Sequence, residues 1–482
     1  EYAVITGYNG GASALAIPSE IDGYEVREIA SYAFRYNELI RSVVIPDSVI
    51  SIGDYAFRYC TNLSNVVLSQ NLKDIGSAAF GDCPSLLEIE IPKSLESASA
   101  NAAGGPFGNS GLKKATFETG TTQVVYNLFY MAENLEDVEL LDTMTSIGAS
   151  AFYDCISLIE IALPNGITEI RDRAFSNCSA LTNIVIPDSV ISIGDYAFRY
   201  CTNLSNVVLS KNLKDIGSAA FGDCPSLLEI EIPKSLESAS ANAAGGPFGN
   251  SGLKKATFET GTTQVVYNLF YMAENLEDVE LLDTMTSIGA SAFYDCISLI
   301  EIALPNSITE IGRSAFYEST SLASIVIPDS VVSIDSYAFE GCTSLSNVTL
   351  SKNLKNIGMR VFENCMELEE IEIPKSLTSA YGSNTGGAFG YSGIKRVTFE
   401  AGTTEVASNL FWSAFELEEV ELLDTMTSIG NNAFLDCTKL SEIIIPESIT
   451  EIGSSAFQGC TSLLRVVIPN GVTTVYDDLF QG

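Results

Sequence analysis

Histidine is absent from this chain of 482 residues, and basic residues are scarce. Without histidine there is no Ser-His or Cys-His nucleophile pair and no histidine-containing metal site. Only 25 lysines and arginines stand against 61 aspartates and glutamates, which gives a net charge of −36. Because so acidic a surface repels phosphate groups and anionic lipids, we expect no binding to nucleic acid and no attraction to a membrane surface.

Long apolar runs are absent as well. No segment approaches the length of a membrane-spanning helix, so we expect no direct membrane insertion, and no signal peptide is visible. The chain opens at Glu1 rather than at methionine. We therefore expect both ends to be trimmed, with any targeting or anchoring signal lying outside this segment.

What the chain does contain is a regular series of phenylalanines, called the ladder phenylalanines below. Their spacing is 23, 23, 27, 22, 23 and 23 residues, and this cycle then repeats. A fixed period in this range is typical of stacked repeat proteins, in which no single repeat buries its apolar face alone. The twenty positions are Phe34, Phe57, Phe80, Phe107, Phe129, Phe152, Phe175, Phe198, Phe221, Phe248, Phe270, Phe293, Phe316, Phe339, Phe362, Phe389, Phe411, Phe434, Phe457 and Phe480.

Six of these short repeats form a super-repeat of 141 residues. The copies at 46–165 and 187–306 differ only at Gln70, which is Lys211 in the second copy. A solenoid simply lengthens when such a block is duplicated, whereas a catalytic fold rarely survives it. Within one continuous domain we predict atypical N-terminal repeats at 1–45, super-repeats at 46–186, 187–327 and 328–468, and a further repeat that starts at 469–482.

Each short repeat begins with an alternating segment, such as Val66-Val-Leu68, that predicts a strand with one buried face. The strand often ends in Ile-Pro, and proline stops the hydrogen-bond ladder because it lacks an N–H. Asn71, Ser48, Ser94 and Ser189 then stand where a side chain can satisfy backbone groups of the turn. A second apolar pair, such as Val49 with Ile52, predicts the opposite wall, and an Ala-Phe step closes the coil.

The complete pattern is I-x-I-P-x-S-V-x-x-I-G-x-x-A-F-x-x-C-x-x-L, as seen from Ile184 to Cys201. It resembles the BspA-type leucine-rich repeats of bacterial and protist surface proteins, and the resemblance spans nearly the whole chain. The family implies a repeat solenoid, a right-handed leucine-rich-repeat superhelix of about 20 rungs, where a rung is one repeat. A parallel β-sheet would cover one face, with short turns, 3-10 segments or strands on the other.

The resemblance also implies a function. Family members are non-enzymatic cell-surface or secreted proteins that mediate adhesion or bind protein or glycan ligands, so we expect an extracellular or cell-surface location. No catalytic residue, cofactor or metal is implied. A structural spacer that projects another module from the cell envelope is the alternative. A carboxylate-dependent glycosidase is disfavoured, because duplication gives every candidate carboxylate pair two or three equivalents and no unique pocket.

The cysteines follow the same period. All eleven stand three residues after a ladder phenylalanine, and where cysteine is missing the position holds serine, alanine or asparagine. Such a position is small and packed, so we predict free buried thiols. Neighbouring rungs are close enough for disulfides, but the odd number of cysteines argues against a disulfide framework.

Acidic residues recur at strand positions whose side chains should face outward. One interpretation is a surface for a cationic partner, with calcium between adjacent carboxylates as a variant. The other is a solvated face that only keeps the protein soluble. No calcium-loop motif is present. The candidate partner-binding residues are Glu88, Glu90, Asp137, Glu139, Glu229, Glu231, Asp278, Glu280, Glu370, Glu372, Glu419 and Glu421.

One interval in each cycle is 27 residues rather than 23, which predicts longer loops at 97–106, 238–247 and 379–388. Insertions in solenoids emerge on one face and can carry binding sites. Their small residues and glycines, however, are also typical of a tolerated flexible insertion. We therefore take the acidic strand positions, not the loops, as the main candidate surface.

Overall fold

The computed structural model describes residues 1–382, 386–476 and 478–481. The chain forms two compact units, Glu1–Leu253 and Lys254–Gly482. Each unit is a β-solenoid of stacked rungs joined by turns, and the described residues contain no helix. None of them therefore belongs to a helix long and apolar enough to cross a membrane. The predicted repeat solenoid is confirmed.

Unit 1 contains twenty-one strands, most of them only two to four residues long. They are β1 (Ala3–Ile5), β2 (Ala14–Ala16), β3 (Glu20–Ile21), β4 (Tyr24–Ile29), β5 (Ser42–Val44), β6 (Ser51–Ile52), β7 (Asn65–Val67), β8 (Asp74–Ile75), β9 (Glu88–Ile91), β10 (Ser97–Ala98), β11 (Lys114–Phe117), β12 (Gln123–Val124), β13 (Asp137–Val138), β14 (Ser146–Ile147), β15 (Glu169–Ile170), β16 (Asn183–Val185), β17 (Ser192–Ile193), β18 (Asn206–Val208), β19 (Asp215–Ile216), β20 (Glu229–Ile232) and β21 (Ser238–Ala239).

Unit 2 repeats the same design. Its strands are β22 (Lys255–Phe258), β23 (Gln264–Val265), β24 (Asp278–Val279), β25 (Ser287–Ile288), β26 (Glu310–Ile311), β27 (Ser324–Val326), β28 (Ser333–Ile334), β29 (Asn347–Thr349), β30 (Asn356–Ile357), β31 (Glu370–Ile373), β32 (Ser379–Ala380), β33 (Arg396–Phe399), β34 (Glu405–Val406), β35 (Glu419–Val420), β36 (Ser428–Ile429) and β37 (Glu451–Ile452).

The strands form two walls in each unit. The front sheet comes from the alternating segment of each repeat and comprises β2-β5-β7, β9-β11-β13 and β16-β18 in unit 1, and β22-β24, β27-β29 and β31-β33-β35 in unit 2. The back wall comes from the second apolar pair and comprises β1-β4-β6-β8-β10 and β12-β14-β15-β17-β19-β21, then β23-β25-β26-β28-β30-β32 and β34-β36-β37. Neighbouring strands are parallel, apart from the antiparallel β3–β4 pair. The predicted strands on the second face are thus confirmed.

The core between these walls is built by stacking equivalent residues. Ile52 pairs in register with Ile75, so the same apolar side chain recurs one rung later. The ladder phenylalanines stack in the same way: the rings of Phe34 and Phe57 lie 4.7 Å apart and parallel within 1°. Nineteen of the twenty are buried. The prediction is wrong for Phe480, which is 44% exposed because it lies in the last rung and stacks on one side only, against Phe457.

The turn that carries each ladder phenylalanine is closed by left-handed residues two positions before and two positions after it. Tyr55 and Tyr59, for example, have φ of 58° and 63° around Phe57. Backbone hydrogen bonds join this turn to the next rung, as where Phe57 N donates to Ala79 O at 2.7 Å. The side chains on either side of the buried phenylalanine therefore lie along one edge of the unit, called the turn edge below.

The predicted turn-satisfying side chains behave in two ways. Asn71 Nδ2 donates to Asp47 O at 2.9 Å, and Ser94 Oγ donates to Leu72 O at 2.8 Å. The prediction is wrong for Ser48 and Ser189, because their buried Oγ atoms have no hydrogen-bond partner among the residues that the structure describes. The serine at this position is therefore retained as a small buried residue in some rungs and as a hydrogen-bond donor in others.

Candidate functional site

The predicted acidic positions of unit 1 lie on the front sheet with their side chains exposed. Strand β9 alternates, with Ile89 and Ile91 buried and Glu88 and Glu90 exposed. This alternation follows from the pleat of a strand, whose successive side chains point to opposite faces. Glu229 and Glu231 of β20 repeat the arrangement in the same unit.

A basic residue lies between carboxylates in the same row of the sheet. Strand β11 is the central strand between β9 and β13, and its Lys114 is in register with Glu88 on one side and with Asp137 on the other. Lys114 Nζ lies 2.9 Å from Asp137 Oδ2. This hydrogen bond, together with the charge of Asp137, raises the pKa of Lys114. The lysine thus lies where calcium between adjacent carboxylates would otherwise lie.

Unit 2 carries the same rows. Lys255 of β22 lies 3.0 Å from Asp278 Oδ2 and 2.5 Å from Glu280 Oε1. Arg396 of β33 is in register with both Glu370 and Glu419, which are exposed. The remaining predicted carboxylates, Glu139 of unit 1 and Glu372 and Glu421 of unit 2, are exposed too.

Exposed valines border these carboxylates in unit 1. Val44 and Val67 are 46% and 48% exposed and lie side by side in register on β5 and β7. Together with Glu88, Glu90 and Lys114, they line an open groove of about 630 Å³ on the front sheet. A surface of this kind offers a partner an apolar contact area with charged groups at its border, the composition found at protein interfaces.

The cysteines provide no nucleophile. All eleven lie in the described part of the chain and are free and buried, as predicted. Burial raises the pKa of Cys60 to about 12, and the pKa of every other cysteine is raised for the same reason. Since the thiolate is the reactive form, these thiols are inert near neutral pH.

The loop at 97–106 is held by specific contacts. Asn101 Nδ2 donates to the hydroxyl of Tyr55 at 2.7 Å, and Gly105 N donates to Tyr130 O at 2.8 Å. A Cβ on Gly105 would overlap the carbonyl oxygen of Asn127. The glycines thus permit close packing here rather than flexibility. The third predicted loop, 379–388, lies partly outside the described residues.

Sequence reasoning missed two features of the turn edge. In unit 1, Tyr32, Tyr36, Tyr55 and Tyr59 stack in pairs around Arg35. The recurrent spacing of two residues on either side of a ladder phenylalanine was visible in the sequence and could have indicated this cluster.

The second missed feature is a pair of buried carboxylates in unit 2. Glu340 and Glu363 are only 8% and 6% exposed, and Arg360 forms an ion pair with Glu363. Burial and the charge of Glu363 raise the pKa of Glu340 to about 7. Both glutamates stand one residue after a ladder phenylalanine, a position that is normally exposed, so no sequence signal indicates that they are buried.

Comparisons with known proteins agree with this architecture. A profile of six BspA-type leucine-rich repeats matches residues 27–133, 122–254, 263–384 and 385–482. No curated protein sequence matches the chain significantly.

Several solved structures are similar to the chain. A leucine-rich repeat protein from Bacteroides ovatus ATCC 8483 is 29% identical, with 76% of this chain and 88% of that chain covered and a TM-score of 0.54. A leucine-rich repeat protein from Bacteroides capillosus ATCC 29799 is 38% identical over 24% of this chain and 87% of that one, with a TM-score of 0.22. A leucine rich cell surface protein from Faecalibacterium prausnitzii A2-165 is 23% identical, covering 96% and 90%, with a TM-score of 0.30. Because the profile matches extend over nearly all of its length, the chain belongs to the BspA-type leucine-rich-repeat family.

Proposed function

We propose that this protein is a non-enzymatic, extracellular or cell-surface binding protein whose front sheet contacts a basic protein partner. The observation that carries the proposal is the recurrence, in both units, of exposed carboxylates arranged in rows around a single basic residue. Glu88, Lys114 and Asp137 form such a row in unit 1, and Glu370, Arg396 and Glu419 form one in unit 2.

The charge balance of these rows favours a cationic partner. Each row has two carboxylates for one internal cation, so every row keeps a net negative charge. A partner with lysines or arginines can take up the unneutralised carboxylates, and its apolar side chains can cover Val44 and Val67. Complementary charge of this kind raises the rate of association and selects the partner more than it adds affinity.

The test replaces six front-sheet carboxylates by their amides. The variant combines Glu→Gln at Glu88, Glu90, Glu229, Glu231, Glu370 and Glu372. The probe is hen lysozyme, a basic protein, together with an acidic protein of similar size, and association is followed by surface plasmon resonance at several salt concentrations. We expect the association rate with the basic probe to fall with rising salt and to fall further in the variant, because exposed charges are screened beyond about 8–10 Å.

A matched control removes the same charge from the other side of the solenoid. It combines Glu→Gln at six positions on or beside the back wall, Glu28, Glu96, Glu169, Glu237, Glu310 and Glu451, so that both variants have the same net charge. If the two variants slow association equally, only net charge acts and the front sheet is not the site. If neither variant nor salt changes binding, the front sheet acts as a solvated face, and a structural spacer becomes the better account.

A further inference from the structure

We propose that a cluster on the turn edge of unit 1 is a second binding site, which takes an acidic segment of a protein partner. This tyrosine–arginine patch consists of Tyr32, Arg35, Tyr36, Tyr55 and Tyr59. It lies beside the ladder phenylalanines rather than on the front sheet. The inference rests on the proposed function only in treating the protein as a binding protein, since the surface and the charge of the ligand are different.

The patch is an ordered aromatic assembly. The rings of Tyr36 and Tyr59 are stacked with centroids 4.8 Å apart and planes within 3°, and those of Tyr32 and Tyr55 are 5.1 Å apart. The guanidinium carbon of Arg35 lies 4.6 Å from the centroid of Tyr36, and 5.4 to 5.8 Å from the other three centroids. The arginine is therefore held in place by four rings.

The charge environment of Arg35 differs from that of the arginine in the next rung. Arg58 Nε donates to Asp82 Oδ2 at 2.7 Å, where Asp82 stands 24 residues later in the chain. The residue 24 positions after Arg35 is Tyr59. Within the described residues Arg35 forms no ion pair, and its Nε has no hydrogen-bond partner. In a protein with a net charge of −36, this guanidinium is thus left without a carboxylate in the described part of the chain.

The fold does not require tyrosine at these positions. All four tyrosines have φ between 58° and 65°, a region that bulky side chains rarely adopt. The second super-repeat builds the equivalent of the first rung with Arg173, Ser176 and Asn177 in place of Tyr32, Arg35 and Tyr36. Since asparagine tolerates this conformation better, turn geometry does not explain the tyrosines.

The patch is accessible and has the composition of an interface. Tyr32 and Tyr36 are 53% and 60% exposed, and Arg35, Tyr36 and Tyr8 line an open groove of about 460 Å³. Tyrosine and arginine are the residues that most often dominate binding energy at protein–protein interfaces. Tyrosine adds contact area at a low cost in conformational entropy, and the planar guanidinium matches a carboxylate with two hydrogen bonds. A protein segment with an aspartate or glutamate beside an apolar residue fits both properties.

The test is a selection from a phage-displayed random peptide library on the full chain. Phage are first depleted on a triple variant, Tyr32→Arg, Arg35→Ser and Tyr36→Asn, which installs the residues that the chain itself uses at 173, 176 and 177. We expect enriched peptides to carry an acidic residue next to an aromatic or aliphatic one. A synthetic enriched peptide should bind the triple variant at least tenfold more weakly, and its Asp→Asn or Glu→Gln form should bind the wild type at least tenfold more weakly.

Three controls show whether the patch itself binds the peptide. The six-glutamate front-sheet variant should bind the selected peptide as the wild type does, so that failure here and failure of the proposed function are distinguishable. Tyr200→Asn, at the equivalent turn of the second super-repeat, should also leave binding unchanged. Arg35→Lys should weaken binding, because lysine keeps the charge but loses the planar pair of donors. If the triple variant unfolds, Tyr36→Asn alone is compared instead.

Two outcomes would overturn the proposal. In the first, no peptide is enriched over the triple variant, or the enriched peptides bind both proteins equally. In the second, carboxylated or sulfated glycans on an array bind the wild type and not the triple variant while the peptides bind neither. That result would assign the patch to an anionic sugar.

Discussion

The thiol of Cys83 donates a hydrogen bond to the carbonyl oxygen of Phe57, with 3.2 Å between sulfur and oxygen. The same contact joins each of the other ten cysteines to a ladder phenylalanine 26 residues earlier. Ser319 makes the equivalent bond to Phe293 at 2.8 Å, so serine fits the same position. The cysteines therefore link neighbouring rungs through hydrogen bonds rather than through disulfides.

Thiol reactivity follows from this environment. We expect the native protein to react very slowly with a thiol reagent at pH 8, because burial holds the pKa of Cys60 at about 12 and the other thiols are also buried. After denaturation without a reductant, titration should find all eleven thiols. Recovery of one or two would show instead that the chain is cross-linked by disulfides. Cys155→Ser should leave the melting temperature close to that of the wild type, because serine keeps the donor.

The buried pair Glu340 and Glu363 should make the stability of the protein depend on pH. The pKa of Glu340 is raised from 4.5 to about 7, mainly by burial and then by the charge of Glu363, with Arg360 opposing the shift. Between these two values the folded state binds more protons than the unfolded state. The free energy of unfolding therefore falls as pH rises from about 4.5 to 7, and the loss is complete above pH 7.

Glu340→Gln tests this directly. The substitution should make unfolding at pH 8 less favourable by about 1–3 kcal/mol, since one pKa unit corresponds to about 1.4 kcal/mol. At pH 4.5 the variant and the wild type should be similar. Urea denaturation at several pH values provides the measurement, with the exposed Glu310→Gln as control. Parallel pH profiles for Glu340→Gln and the wild type would show that Glu340 is not desolvated in solution.

Gly105 tests whether the loop at 97–106 is packed or flexible. Gly105→Ala should lower the free energy of unfolding by about 1–3 kcal/mol, because the new methyl group would overlap the carbonyl oxygen of Asn127. Gly11→Ala is the control, since a Cβ there would have no atom of the described residues within 4 Å. Urea denaturation of both variants decides the question: equal stability would mean that the loop yields easily.

Sequence periodicity accounts for much of the fold and of the candidate site. The spacing of the ladder phenylalanines predicts the stacked core, and the alternation at Glu88-Ile89-Glu90 predicts which side chains are exposed. The small residues three positions after each ladder phenylalanine predict the buried thiols. These properties depend only on the pattern within one repeat, because every rung presents the same faces to the core and to the solvent.

Contacts between rungs were decided by the tertiary structure alone. Lys114 lies between Glu88 and Asp137, which are 26 residues before it and 23 residues after it, because the intervals between rungs are unequal. Arg35 and Arg58 occupy the same position in successive repeats, yet of the two only Arg58 pairs with a carboxylate of the adjoining rung within the described residues. The repeat pattern determines which face a side chain occupies. Its charge partner, and its burial where long side chains cover one another, depend on which residue the stacking places 22 to 27 positions away.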